Sequence, residues 1–97
     1  MKREKIQLSS LIERIIQSHK ADAKEKQVQL EMVLDNTITE IIADENQLVE
    51  TLHDFILNAI RFSVPNGNIS IGTRCVLNGV EISVSDSGTR FIIFLHL

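Results

Sequence analysis

The chain has 97 residues, of which 43% are apolar and 24% charged, and a formal net charge of −3. That size allows one domain at most, and the composition excludes a disordered or low-complexity segment. The acidic balance and the lack of a Lys/Arg block exclude a general nucleic-acid binder, and the longest apolar run, Phe91 to Leu95, is far too short to cross a bilayer.

Residues 1–7 are charged and are expected to fray. Ser10-Leu11-Ile12-Glu13 fits a capping box, in which hydroxyl and carboxylate each satisfy a free amide at a helix start. Leu11, Ile12, Ile15, Ile16 and His19 then recur at helical spacing to about Lys26. Gln27 to Met32 alternates strictly and predicts a strand with one wet face. Asp35-Asn36 signals a turn, and Thr37 to Ala43, rich in β-branched residues, predicts a second strand. Asp44, with Gln47 three residues on, predicts the N-cap of a second helix. That helix is expected to bury Leu48, Leu52, Phe55, Ala59 and Phe62 in one stripe. Pro65 ends it, having no amide to continue the ladder. Asn68 to Leu77 and Val80 to Ser85 predict two strands joined by Asn78-Gly79 as a type I′ turn. The order implies a two-layer α+β domain with both helices on one face of a mixed sheet. The tail Phe91 to Leu97 leaves a short strand, a helical turn or a mobile end open. Cys75, the single cysteine, allows no internal disulfide, fits a reducing compartment and reads as a small buried hydrophobe. With no secretion signal at its start, the chain is read as cytoplasmic, or as the cytosolic piece of something larger, without direct membrane contact.

Two groups of residues have chemistry to offer. Asp54, Asn58 and Arg61 are spaced i, i+4, i+7 and share one edge of the second helix. That edge is expected roughly 80–140° from the centre of the buried stripe. Such an edge suits a hydrated Mg²⁺, which takes oxygen ligands and keeps waters, with Arg61 on a phosphate; it equally suits a solvated Asp–Arg contact. Asp86 shares the parity of Val80, Ile82 and Val84, so it points toward the helix layer if they do. A carboxylate there needs a hydrogen-bonding partner, which the exocyclic amine of a purine supplies, and Gly88 would let the backbone pass close to a flat ring. Asp86-Ser87-Gly88 also reads as a plain turn.

Taken together, Ala43-Asp44-Glu45-Asn46-Gln47-Leu48, Leu57-Asn58-Ala59-Ile60-Arg61-Phe62-Ser63 and Val84-Ser85-Asp86-Ser87-Gly88 resemble the ATP-binding catalytic domain of sensor histidine kinases. The resemblance covers about residues 5–88 and implies a Bergerat-type ATPase fold with its C-terminal part missing, residues 1–97 forming a single incomplete domain. It implies ATP and Mg²⁺ as cofactors, with Asn58 on the metal and Arg61 in place of a phosphate-contacting lysine. Phe62 would take a tyrosine position, Asp86 would read the adenine amino group, and Gly88 would open the first glycine box. Asp54, where these kinases usually have an asparagine, is the candidate catalytic residue, by analogy with related ATPases that carry an acid there. Arg90 replaces the second glycine of the box and is expected either to crowd the nucleotide or to contact its phosphates. The family continues with a lid, further glycine boxes, a helix and more strands, none of which this chain carries.

The implied function is binding of Mg-ATP for phosphoryl transfer, within a two-component phosphorelay, to a histidine on another domain. The implied partners are that histidine-bearing dimerisation domain and a response regulator. A histidine-kinase-type phosphotransferase is expected of the parent protein, and no activity of this chain alone. His19 is followed by Lys20 instead of the acid that marks a phospho-acceptor, and reads as a core-edge residue. His53 reads as a surface residue or a phosphate contact. The alternative is a non-catalytic interaction module that has kept the fold, lost the nucleotide, and self-associates through an open sheet edge. An anti-sigma type of serine kinase shares the core and needs the same lid.

Overall fold

A computed structural model describes residues 2–35, 40–86 and 90–96. Along the chain run β1 (Glu4–Gln7), α1 (Leu8–Lys26), β2 (Gln29–Val33), β3 (Glu40–Ala43), α2 (Glu45–Phe62), β4 (Asn68–Val76), β5 (Gly79–Ser85) and β6 (Arg90–His96). The main sheet has the order β2-β4-β5-β6, and β1 and β3 form a separate antiparallel pair. β2 runs parallel to β4, and the other two seams are antiparallel. This is the expected α+β architecture with a mixed sheet.

Alternation along the strands decides which face meets the helices. Ile69 and Ile71 of β4, and Val80, Ile82 and Val84 of β5, are fully buried. They form one core with Leu11, Ile12, Ile15 and Ile16 of α1 and Leu48, Leu52, Ile56, Ala59 and Ile60 of α2. Each aliphatic side chain so buried is worth about 1.5–3 kcal/mol against exposure. The opposite face carries a polar centre, where Glu81 meets Arg74 at 2.8 Å and Arg90 at 3.6 Å.

Several local expectations are corrected. The N-terminal residues pair instead of fraying: Ile6 lies opposite Ile41, and both are buried. α1 starts before the proposed capping box, with Gln7 as N-cap and no side-chain capping bond. Burial of Leu8 holds the extra turn in place, which leaves Ser10 inside the helix. The β4–β5 turn falls one residue early. Val76 pairs with Gly79, so Leu77 and Asn78 make the loop, and only Asn78 of the two takes a positive φ, of 62°. Gly79 is instead a buried strand residue facing β6: a Cβ there would run into the Leu95 carbonyl oxygen and come within 2.7 Å of the Phe94 ring. Cys75 is exposed, because β4 outruns the helix layer at that end. The tail forms β6, paired with β5 from Ser85–Arg90 to Gly79–His96.

The start of α2 follows expectation, with the Asp44 carboxylate accepting from the Gln47 amide at 3.3 Å. Its end does too: the helix stops at Phe62, two residues before Val64-Pro65. The Asp35 carboxylate accepts from the Cys75 amide of β4 at 3.2 Å; the turn expected at Asp35-Asn36 runs outside the described residues. Asn36 and the first residues of the strand expected from Thr37 lie outside the described residues. No helix among the described residues is long and apolar enough to cross a membrane.

Candidate functional site

α2 and β5 carry the two halves of the candidate site, and they pack directly against each other. The contact follows from sequence: Ile56, Ala59 and Ile60 are buried on the helix, and Val80, Ile82 and Val84 lie beneath the helix layer on the strand. Asn58 is half-buried on α2, and Asp86 is half-buried as the first residue past β5. Asp86 follows β5 directly and continues the parity of its buried residues. Gly88 lies outside the described residues.

The buried face of α2 is wider than expected and turned. Ile56 and Ile60 belong to it, whereas Phe62, expected in the stripe, is 73% exposed at the helix end. At 100° per residue, the observed face puts Asn58 about 130° from its centre and Asp54 and Arg61 about 170° away. Asp54 and Arg61 are accordingly exposed on the solvent side, not at the apolar border. They do not form the ordinary Asp–Arg contact: neither side chain has an ion-pair partner among the described residues. The Arg61 carbonyl oxygen accepts from Lys26 Nζ at 3.1 Å, which ties the end of α2 to the end of α1.

The donor set suits a hydrated Mg²⁺. Asn58 offers an amide oxygen, and Asp54 offers a carboxylate one turn earlier. Among the described residues no three His, Cys, Asp or Glu side chains converge on a metal position. A cation that keeps most of its waters and takes one or two protein oxygens needs no such cage.

β6 supplies what the sequence reading missed. Phe91 lies opposite Val84, on the helix side, and stacks on Phe55 of α2 with ring centroids 5.2 Å apart and planes at 26°. Helical patterning marked Phe55 as core, but nothing in the pattern joined it to Phe91, since the tail's conformation was open. Arg90 lies opposite Ser85, and its guanidinium reaches Glu81 on the far face. That placement turns Arg90 away from the helix side of the sheet, where it was expected either to crowd the nucleotide or to contact its phosphates. His19 is 2% exposed, as a core residue, with Nδ1 2.9 Å from the Ile15 carbonyl oxygen and Nε2 without a partner among the described residues. Its ring lies 4.6 Å from that of His53, on α2.

A mixed four-stranded sheet under two helices is the architecture of histidine-kinase catalytic domains. The chain is 36% identical over 83 residues to the sensor histidine kinase ZraS of Escherichia coli K12, a match that takes in 86% of this chain and 18% of ZraS. The catalytic domain of histidine kinase ThkA, in a nucleotide-free form, superposes with a TM-score of 0.83 at 24% identity, over 92% of this chain and 60% of that one. A structure of ThkA in complex with the response regulator protein TrrA superposes with a TM-score of 0.79 at 23% identity, over 90% of this chain and 26% of that one. No protein-family model matches. The chain is similar in sequence to part of a sensor histidine kinase, spanning less than a fifth of that protein's length, and has the fold of histidine-kinase catalytic domains.

Proposed function

We propose that residues 1–97 are one incomplete histidine-kinase-type ATP-binding domain, cytoplasmic in location, which holds Mg-ATP weakly between α2 and the end of β5. What supports the reading is the packing of the Asn58 helix on the strand that leads to Asp86, in a chain homologous to a sensor kinase. Bound Mg-ATP would supply the phosphoryl group for transfer. Asn58 would give its amide oxygen to the metal, and Arg61, exposed in the last turn of α2, would neutralise phosphate charge that reaches past the helix end. Asp86 would accept a hydrogen bond from the adenine amine, with Gly88 letting the backbone approach the ring and Phe62 flanking the site in place of a tyrosine. Asp54 would position a water or the metal. In such transfers the protein's work is positioning and charge neutralisation. The acceptor histidine would come from a dimerisation domain, and the phosphoryl group would pass on to a response regulator, the kind of protein bound to ThkA. Titration calorimetry with Mg-ATP should give millimolar affinity, lost in Asn58→Ala. Binding that survives both Asp54→Ala and Asn58→Ala would overturn the assignment.

One observation favours a second reading. Three residues, 87–89, separate Asp86 from β6. β6 closes onto α2 through the Phe55–Phe91 stack. The alternative is a non-catalytic module that self-associates through β6, whose residues Phe91 to Leu95 carry no charge and which ends the sheet. An edge strand of that composition invites pairing. It predicts no Mg-ATP heat at any concentration and a mass by sedimentation that rises with concentration.

A further inference from the structure

The opposite edge of the sheet has a different character. β2 pairs with β4 on one side, and among the described residues no strand pairs with its other side. The Gln29 amide donates to the Gly67 carbonyl oxygen at 3.0 Å, toward β4. Alternation then turns the backbone N–H and C=O groups of Leu30 and Met32 outward, along the open edge. Met32 and Val33 expose 41% and 59% of their surface. Beside the start of this edge lies a cleft of about 800 Å³, lined among others by Lys20, Ala23 and Lys24 of α1 and by Gln29 and Leu30. Among the described residues no carboxylate lines it. Lys20 and Lys24 have no ion-pair partner among the described residues, although the chain as a whole is acidic.

We propose that the β2 edge with Lys20 and Lys24 is a strand-addition site for an extended acidic segment of a partner protein, with carboxylates at alternate positions. The two lysines, four residues apart on a helix, are separated by about 6 Å of rise. Alternate residues of a strand are about 6.6 Å apart and point to one face. An added strand would therefore hydrogen-bond Leu30 and Met32 through its backbone while successive same-face carboxylates meet successive lysines. Backbone pairing supplies affinity and the side-chain pattern supplies selectivity. A second copy of this chain is a poorer occupant, since its β2 brings a single carboxylate, Glu31, which already accepts from the Ser70 hydroxyl at 2.7 Å. The proposal stands apart from the nucleotide site, which uses neither α1 nor β2.

The test is fluorescence anisotropy of the full chain with two labelled hexapeptides of equal composition, one alternating Glu and Val and one with three Glu followed by three Val. The alternating peptide should bind at low salt, and the block peptide, which has the same charge but does not put successive carboxylates on one face alone, at least about tenfold more weakly. Lys20→Glu with Lys24→Glu, both exposed, should cost about tenfold or more, the scale of reversing two exposed pairs. Met32→Pro removes one outward amide, which an edge position tolerates, and should abolish binding while the circular dichroism spectrum is kept. Equal binding of the two peptides, undiminished binding by either variant, or amide shifts confined to β6 would overturn the proposal. So would a concentration-dependent mass that Met32→Pro abolishes, which would assign the edge to a second copy.

Discussion

Gly79 distinguishes two explanations of the same hairpin. If the glycine serves a positive-φ turn, Gly79→Asn should be nearly neutral, because Asn tolerates that conformation, and Gly79→Ala should be the worse variant. In the structure Gly79 has no positive φ and is needed because β6 passes close to it. A Cβ would lie 2.7 and 2.9 Å from two carbons of the Phe94 ring and closer still to the Leu95 carbonyl oxygen. The ring atoms are the far end of a side chain, whereas the carbonyl belongs to the β6 backbone and can move only with the strand. Overpacking of this kind costs about 1–3 kcal/mol. For a domain of this size each kcal/mol moves the midpoint by about 4–8 °C, so Gly79→Ala should melt at least about 4 °C below wild type. Gly79→Asn should melt as low or lower, since it adds the same Cβ and a larger head. Thermal unfolding followed by circular dichroism, with hydrogen exchange of the β6 amides, reads both. A Gly79→Asn variant as stable as wild type, with β6 still protected, would refute the close-approach explanation.

Other residues give sharper readings of their surroundings. His19→Leu exchanges a buried ring, whose Nε2 has no partner among the described residues, for an apolar side chain, losing one bond to the Ile15 carbonyl oxygen. Because the orphaned acceptor and the lost bond are each worth about 1 kcal/mol, stability in urea should stay within about 1 kcal/mol of wild type; a loss beyond 2 kcal/mol would show that Nε2 has a partner in solution. Arg90→Ala removes one of two arginines from Glu81 on the far face and should cost less than about 1 kcal/mol, as exposed pairs do. It should leave any Mg-ATP affinity unchanged; a tenfold loss would place Arg90 in the nucleotide site after all.

Much of the fold was legible because its signals are local and strong. Asp44 caps α2 and Pro65 ends it, and the parity of Val80, Ile82 and Val84 marks the buried face of β5. What stayed illegible depends on partners distant in sequence. Ile6 pairs because Ile41 lies opposite it, which no pattern within Met1–Gln7 can reveal. Phe62 keeps the helical period of Leu48 and Leu52, yet it lies past the end of the layer that would cover it. Ile56 and Ile60 then rotate the buried face and carry Asp54 and Arg61 round to solvent. Cys75 has a strand's parity but no helix above it. At the candidate site, sequence motif and strand parity placed Asn58 and Asp86 on their elements. The Phe55–Phe91 stack and the turn of Arg90 to Glu81 depended on β6, whose apolar run fits several conformations until β5 offers it an edge.

The most direct measurement is an amide-resolved NMR titration of the chain with Mg-ATP. Our account predicts that Asn58 and Asp86 shift together, saturating along one millimolar curve, with Asn58→Ala removing the shift at Asp86. Shifts at only one of the two, or at neither while the nucleotide binds elsewhere, would contradict it.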